Sequence, residues 1–388
     1  MKKILVTAST FPRYMEDTEP RFIYDLCKEY AKYYDVTVLV PAAYGAKAKE
    51  DMEGMHVIRY NYFPVKKMQT LCYPGAIVPR IKEKKIRALL VPFLFLAMYR
   101  NIKKYIKEYD IIHANWIIPQ GIVQYYFDKP YIISGLGGDV TSINKGIMKK
   151  MKYRSLVKAK KITVVSKDLK KYLIDNFKIK ETDIEVIPMG CNLHQFSPAN
   201  RKENYWNQGN KKVILFVGRL AEKKGAEYLI RAMRNLNAKL VIVGDGPEKE
   251  KLMHLAEKTK SDIEFAGAKN KQELSVMYAS CDIFCIPSVV AKDGDKEGLP
   301  VALIEAMASG AAVVGTGVGG ISEVLIHEKN GLMVLEKNVK ELESAISLLL
   351  DNDELRSKLA QEARKSAEKY DFIQIGKRYK KIIDGILE

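Results

Sequence analysis

Along the first half of the chain, short apolar runs alternate with stretches whose apolar residues fall at helical spacing. KILVTAS reads as a buried strand, and RFIYDLCKEYAKYY after it carries Phe22, Leu26, Tyr30 and Tyr33 near one helical face. DVTVLVP is the next strand, stopped by Pro41, and YDIIHANW, PYIISGL, KKITVVS and IEVIPMG follow it. Alternation of this kind predicts a parallel sheet with helices on both faces. SPANRKENYWNQGN, near 197–211, is polar and rich in turn formers and reads as a linker. Beyond it the pattern restarts: KVILFVG, AKLVIVGDG, IEFAGA, DIFCIPS, AAVVGTG and GLMVL are strands with helical stretches between them, and the tail is helical throughout. The chain is therefore expected to be α/β, with two Rossmann-like, doubly wound domains. Such sheets bind ligands at the carboxyl ends of their strands, so a small ligand in a cleft between the two halves is the expectation.

Several turns of the second half carry glycine: Gly218 after ILFV, Gly244 and Gly246 after LVIV, and GTGVGG after AAVV. Glycine lets the backbone approach a phosphate, and a helix N-terminus favours an anion. Gly315, Gly317 and Gly320 match the G-x-G-x-x-G of dinucleotide-binding domains, and Glu336 falls where a ribose-binding acid is expected. That fingerprint normally opens its domain, whereas here it comes near the end, which disfavours a dehydrogenase. GLGGD (135–139) lacks the third glycine, because Val140 holds its place. GRLAEKKG (218–225) sets Arg219 at a strand end, with Lys224 before the next helix. An Arg fork and a Lys point charge at one turn suit a diphosphate; two solvated surface cations are the alternative.

EGLPVALIEAMASG (297–310) places two carboxylates around the start of an apolar helix. The helix is predicted from Pro300, which is tolerated at a first helical position. Glu297 then lies in the feeding loop beside Gly298, and the amides of Leu299 and Val301 can face the same ligand. Glu305 lies inside the helix, where a buried carboxylate is costly without partners; two ribose hydroxyls would supply them. The set fits a nucleotide sugar, with Glu297 on the sugar, Glu305 on the ribose and the two cations on the diphosphate. A solvated loop acid and a satisfied, partly buried one are the alternative.

EGLPVALIEAMASGAAVV resembles the signature of the retaining glycosyltransferases of family 4, which have the GT-B fold. VIPMGCNLHQFSP (186–198), ILFVGRLAEKKG, LVIVGDGPEKEKL, VMYASCDIFCIPS and NGLMV extend the resemblance over most of the chain. It implies transfer of a sugar from a UDP- or GDP-sugar with retained configuration. It also implies a final helix that returns to the first domain, giving domains of 1–197 with 371–388 and of 198–370. On this resemblance Arg219 and Lys224 neutralise the departing diphosphate, Glu297 lies by the donor sugar and Glu305 holds the ribose. Gly218, Gly244, Gly267, Gly298, Leu299, Pro300 and Val301 then bind the donor, Gly267 bordering the base. Attack comes from the front face, the departing phosphate oxygen taking the acceptor's proton, so electrostatic stabilisation carries much of the rate.

The first half departs from the family in two places. FPRYMEDTEPRF stands where many members have a Gly-Gly loop, and Leu136 where many carry a His. Asp139 is the expected cleft acid and a catalytic candidate. His113 and Arg21 are further possible cleft residues, although a strand-end His is more often structural. DGD (293–295) has the form of a metal-binding pair, but the family generally manages without a metal, and neither a metal nor another cofactor is expected.

Charge adds a partner. Residues 1–200 hold 34 Lys and Arg against 19 Asp and Glu, while residues 201–388 hold 30 against 28. Residues 56–107 hold twelve cations and one acid, and 145–171 hold eleven and one. Arg80, Lys82, Lys84, Lys85 and Arg87 precede the apolar stretch 88–99, a combination that suits an anionic membrane surface; a core helix with a solvated face is the alternative. No aromatic-rich module suggests nucleic acid. The N-terminal apolar run is too short for a signal peptide, and no stretch reaches the roughly 18 apolar residues of a spanning helix. Five scattered cysteines read as buried free thiols of a reducing compartment. The expectation is a cytoplasmic enzyme, peripheral on the inner face of the cell membrane. Its acceptor would be a lipid-linked saccharide or glycolipid precursor of surface polysaccharide. A sugar-nucleotide epimerase and a non-catalytic basic membrane-binding module are the alternatives.

Overall fold

Eight strands form the first sheet: β1 (Lys3–Thr7), β2 (Asp35–Pro41), β3 (Lys49–Met52), β4 (Met55–Tyr60), β5 (Ile111–Asn115), β6 (Tyr131–Gly135), β7 (Lys161–Val164) and β8 (Ile184–Val186). Their order is β3-β4-β2-β1-β5-β6-β7-β8, and only β3–β4 is antiparallel. β5 and β6 are buried at every position, as expected of strands covered on both faces. The β3–β4 hairpin escaped the sequence reading because KEDM is polar and offers no apolar run. Its turn, Glu53 and Gly54 at φ 45° and 85°, is the left-handed pair a two-residue hairpin needs. The computed structural model describes residues 1–388 except 16, 18–20, 74, 207, 208 and 210.

The second sheet comprises β9 (Lys212–Val217), β10 (Ala238–Val243), β11 (Ile263–Gly267), β12 (Ile283–Ile286), β13 (Ala312–Thr316) and β14 (Leu332–Val334). It is parallel throughout, in the order β11-β10-β9-β12-β13-β14.

The chain divides into Met1–Pro188 with Phe372–Glu388, and Met189–Asp371. The boundaries thus fall at 188/189 and 371/372, not at 197/198 and 370/371. Packing explains the shift: Cys191, Leu193 and Phe196 are buried with Val213 and Tyr278, and the Cys191 amide donates to the Tyr370 carbonyl at 2.8 Å. The expected linker also lies in this second unit, with Trp206 against its core and the indole N–H donating to the Ser280 carbonyl at 3.0 Å. Residues 207, 208 and 210 of that stretch lie outside the described residues.

The helix Phe372–Leu387 packs in the first unit, where Ile375, Tyr379 and Ile383 join the core around Ile4 and Val6. The Tyr379 hydroxyl lies 3.1 Å from Ser134 Oγ and 3.0 Å from Thr163 Oγ1, tying the tail to β6 and β7. The five cysteines are buried and unpaired. Among the described residues, no helix is long and apolar enough to cross a membrane.

Candidate active site

In the second sheet the strand order runs outward from β9 on one side and from β12 on the other. The switch point therefore lies between their carboxyl ends, where such sheets hold ligands. Gly218 and Arg219 follow β9 directly. The loop 287–300 follows β12 and feeds the helix Val301–Ala308, with Pro300 as its extended N-cap (φ −73°, ψ 120°).

Lys224 crosses from the first turn to the second loop. Its stem passes over Gly218, and its Nζ donates to Glu297 Oε2 at 3.0 Å. Lys223 Nζ lies 3.9 Å from Glu297 Oε1 and 3.1 Å from Asp295. The Glu297 side chain is 7% exposed and that of Lys224 16%. Glu297 Oε1 is enclosed and receives no hydrogen bond among the described residues. Buried carboxylate oxygens are normally satisfied, so this one is an acceptor held in reserve. Arg219 is exposed on the same turn, and no described side chain pairs with it. The amides of Val301 and Ala302 open their helix without a backbone acceptor among the described residues, and the helix dipole adds positive potential there. Together these groups offer cations and amides to an anion, and one carboxylate oxygen to a neighbouring hydroxyl.

Glycine makes the loops fit. The Gly218 amide donates to Val243 at 3.0 Å and the Gly244 amide to Gly267 at 2.9 Å, forming a ledge across β9, β10 and β11. Gly267, at φ 69°, would present a side chain to open space. Gly225, at φ 67°, lies so close under the Pro287 carbonyl that a methyl group would collide with it. Gly320 donates to the Gly298 carbonyl at 2.6 Å, and a methyl there would strike the same oxygen. Gly319 and Gly320 of GTGVGG thus close-pack the Glu297 loop. Glu336 is likewise no ribose acid here: its Oε2 accepts the Val290 amide at 2.8 Å and holds that loop. Asp295 of DGD serves Lys223. Among the described residues no group of three or more His, Cys, Asp or Glu side chains converges as metal ligands would.

Glu305 is buried and already partnered. Tyr278 donates to its Oε2 at 3.3 Å, and Lys271 Nζ lies 3.7 Å from Oε1. Partners of this kind are what the satisfied-acid alternative expects, although a carboxylate has acceptor capacity for more than two donors. Leu299 faces the core, Pro300 is buried and Val301 half-buried. Lys223, Lys271 and Tyr278 had not been singled out in the sequence; only the Lys223–Lys224 doublet carried a signal.

The first-unit candidates are held differently. His113, in the middle of β5, is a core residue and not a cleft residue. Its Nδ1 is 3.1 Å from the Tyr30 hydroxyl, its Nε2 is 2.7 Å from Ser134 Oγ, and burial lowers its pKa to about 3. Asp139 accepts the amides of Ile117, Leu136 and Gly137 at 2.8, 3.0 and 2.9 Å. Burial pushes its carboxyl up, while these donors and Lys152 pull it down. Lys152 is buried too, donating to the Val140 and Ser142 carbonyls and to Asn144 Oδ1, and burial lowers its pKa to about 8. Asp139 and Lys152 pin the loop after β6, so Asp139 is a scaffold acid, not a free catalytic one. Arg21 stacks on Tyr24 at 4.2 Å, reaches Asp25 at 3.9 Å and donates to the Met15 carbonyl. In FPRYMEDTEPRF, Arg13 pairs with Asp17 at 3.1 Å, and residues 16 and 18–20 lie outside the described residues.

The basic cluster also narrows. Arg80 and Arg87 are only 15% and 11% exposed in their side chains, and both donate to Glu83. Lys82, Lys84 and Lys85 remain exposed, beside exposed Val78, Ile86, Leu89, Phe93 and Leu96.

Two doubly wound units, the second with a cation-rich turn facing a buried carboxylate at its switch point, describe a GT-B glycosyltransferase. Residues 20–195 match the model for Glycosyltransferase Family 4, and residues 198–366 that for Glycosyl transferases group 1. The chain is 32% identical over 295 residues to an uncharacterized glycosyltransferase of Methanocaldococcus jannaschii, covering 70% of this chain and 74% of that protein. The chain belongs to the family 4 glycosyltransferases. It is also 33% identical over 223 residues to the N,N'-diacetylbacillosaminyl-diphospho-undecaprenol alpha-1,3-N-acetylgalactosaminyltransferase of Campylobacter jejuni, covering 55% and 57% of the two chains. Its fold is similar to that of sucrose-phosphate synthase from Thermosynechococcus elongatus, with TM-score 0.79, 22% identity and coverage of 100% and 99%. The Anabaena HepE structure with UDP-glucose gives TM-score 0.73 at 18% identity, covering 99% and 100%.

Proposed function

We propose that this glycosyltransferase moves a sugar from a nucleoside-diphosphate sugar to a lipid-linked saccharide, with retention and without a metal, in the synthesis of surface polysaccharide or glycolipid. The observation that carries the donor reading is Glu297: a carboxylate 7% exposed, held by Lys224, with one oxygen unbonded. Arg219 and Lys224 face the diphosphate, and the Val301 and Ala302 amides add to them. Glu297 Oε1 takes a hydroxyl of the donor sugar. Lys224 then bridges two anions, Glu297 and the diphosphate, which keeps the carboxylate from repelling the substrate. In the reaction the bond from the anomeric carbon to the phosphate oxygen breaks, and the acceptor oxygen bonds to that carbon on the same face. The departing phosphate oxygen takes the acceptor's proton, so charge grows where Arg219 and Lys224 stand. Glu305 supports the ribose from a buried position beside Tyr278 and Lys271. The named activity of the Campylobacter relative supports a diphosphate-linked lipid acceptor, and the UDP-glucose bound to Anabaena HepE supports a uridine donor.

The exposed apolar residues between Val78 and Leu96, with Lys82, Lys84 and Lys85, form the membrane-facing side of this reading. Each cation near an anionic surface contributes about 1 kcal/mol. Binding to anionic vesicles should therefore weaken with salt and with Lys84→Glu and Lys85→Glu.

The test is a panel of nucleoside-diphosphate sugars offered with a lipid-diphosphate-linked saccharide, scored for nucleoside diphosphate release and for the product's anomeric configuration. The expected result is one preferred donor, retained configuration and activity that survives chelator. An inverted product, a chelator requirement restored by a divalent ion, or acceptor-independent epimerisation of the donor would contradict it.

A further inference from the structure

A cation-lined cavity lies wholly within the first unit. It has a volume of about 450 Å³ and is walled by Arg13, Lys66, Lys67 and Arg80, with Tyr73 and Gln69 among its other residues. That volume is in the range of small-ligand pockets, roughly 300–1,000 Å³. Among the described residues, four cations and no carboxylate line it. The residues already placed at the donor site do not contribute to it.

The cavity is built, not a chance gathering of surface lysines. Arg13 is clamped by Asp17, with Nε 3.1 Å from Oδ2 and the Arg13 amide donating to the same oxygen at 2.8 Å. Its guanidinium lies 4.3 Å over the Tyr73 ring, and the Tyr73 hydroxyl donates to Asp17 Oδ1 at 2.7 Å. Burial alone would raise the Asp17 carboxyl, yet the Arg13 and Tyr73 hydrogen bonds hold it below its ordinary value, so the clamp stays ionised. Arg80 is set by its Nε donating to the Thr70 carbonyl at 3.1 Å. Gln69 is buried, accepting the Tyr62 amide at 2.8 Å and donating to Asn61 Oδ1 at 2.9 Å. The wall segment is thereby fixed by its own bonds. Lys66 and Lys67 are exposed, and no described carboxylate pairs with either. Arg13 and Arg80 already pair with Asp17 and Glu83, so they offer pre-set N–H forks, while Lys66 and Lys67 offer uncompensated charge; forks for phosphate oxygens beside two point charges match a polyanion.

The surroundings say which polyanion. Val65 and Met68, which flank the two lysines in sequence, are each 50% exposed. Phe63, in the same segment, packs edge-on against Phe93 at 5.1 Å. The cavity's wall therefore adjoins the exposed apolar face of the helix Val91–Tyr105. A group of several negative charges attached directly to a hydrocarbon chain fits this pairing.

We propose that this cavity holds the diphosphate of the lipid-linked acceptor, its hydrocarbon lying along the Val65, Met68 and Phe93 face. The proposal rests on the acceptor class given under Proposed function. A membrane-lipid headgroup shares the phosphate chemistry but brings one phosphodiester charge to two uncompensated lysines and the N–H forks of two paired arginines.

Calorimetric titration of geranyl diphosphate, geranyl monophosphate and geraniol tests it, in a Lys224→Ala background that weakens diphosphate binding at the donor site. Geranyl diphosphate should bind at least about tenfold tighter than the monophosphate, and geraniol should not register. Lys66→Glu with Lys67→Glu should weaken geranyl diphosphate by at least about tenfold, with an unchanged melting temperature because both side chains are exposed. An unchanged affinity in that double variant overturns the assignment. The same double variant is spun with phosphatidylglycerol vesicles free of lipid diphosphate. If it stops pelleting while keeping its geranyl diphosphate affinity, the cavity reads headgroups and the diphosphate assignment is again overturned. The transferase reading is judged apart from this, by nucleoside diphosphate release from the wild type, so the two failures carry different signatures.

Discussion

Both units carry titratable side chains on or beside their parallel strands, yet the candidate ones are bonded in opposite ways. In the first unit, His113 has a partner on each ring nitrogen, Asp139 accepts three amides and Lys152 donates to three oxygens. In the second, Glu297 keeps an oxygen unbonded and Arg219 stands exposed without a partner among the described residues. Filled hydrogen-bonding capacity marks scaffold, because leaving a buried polar group unmet costs about 1–3 kcal/mol and folding selects against it. Unfilled capacity at a switch point persists where a ligand completes it.

The sharpest way to break this comparison is to remove the cations of the second unit. Arg219→Ala and Lys224→Ala should each lower kcat by about 10²–10³-fold, the range seen when a preorganised charge stabiliser is lost. Arg219→Ala should leave the melting temperature unchanged, since the side chain is exposed and unpaired. Steady-state kinetics beside a thermal melt checks both, and near-wild-type turnover in either variant would remove the diphosphate role.

Next in size is the glycine packing. Gly320→Ala drives a methyl into the Gly298 carbonyl, so the Glu297 loop must move. Overpacking of this kind costs about 1–3 kcal/mol. Calorimetry should show the loss, and activity should fall with it because Glu297 moves too.

The glycines also show what was legible in the sequence. The alternation of apolar runs and helical stretches carried both sheets, since parallel strands buried on two faces must be apolar throughout. The β3–β4 hairpin was not legible, because KEDM is polar and its pairing depends on an Glu53–Gly54 turn with no apolar run on one side. Arg219, Lys224 and Glu297 were legible as motif residues and come together at one switch point. The role of GTGVGG was not: its spacing is that of a phosphate loop, while the space beside Gly319 and Gly320 is taken by the Glu297 and Gly298 carbonyls. His113, for which the sequence favoured a structural role, and Asp139, read as a cleft acid, were both left open for one reason. A strand-end position says that a side chain is near the ligand edge, but only tertiary contacts show whether Tyr30, Ser134 or a backbone amide already holds it. The exposure of Arg80 and Arg87 was misjudged similarly, since Glu83 turns both inward.

A smaller effect sharpens the scaffold side. The unfolded chain takes a proton on His113 near pH 6.5, the buried imidazole only near 3. Between these values the unfolded state binds more protons, so the group's contribution is full above pH 6.5 and is lost as pH falls. The slope should approach about 1.4 kcal/mol per pH unit in that window. His113→Gln should flatten it; an unchanged acid slope would mean that other groups set it.

Smallest of all should be the kinetic effect of Asp139→Asn. The variant loses part of the amide clamp, about 1–3 kcal/mol of stability, while kcat on the folded fraction stays close to wild type. A large kcat loss without destabilisation would return Asp139 to the chemistry.

The central claim, that Glu297's unbonded oxygen is completed by the donor sugar, is tested most directly by Glu297→Gln. Donor kinetics and affinity for the bare nucleoside diphosphate are measured on the same preparation. The account predicts a kcat lowered by about 10²-fold or more, with nucleoside diphosphate affinity changed by less than about threefold, because the lost contact belongs to the sugar. Wild-type kcat, or a loss of affinity for the bare nucleoside diphosphate as large as the loss of turnover, would contradict it.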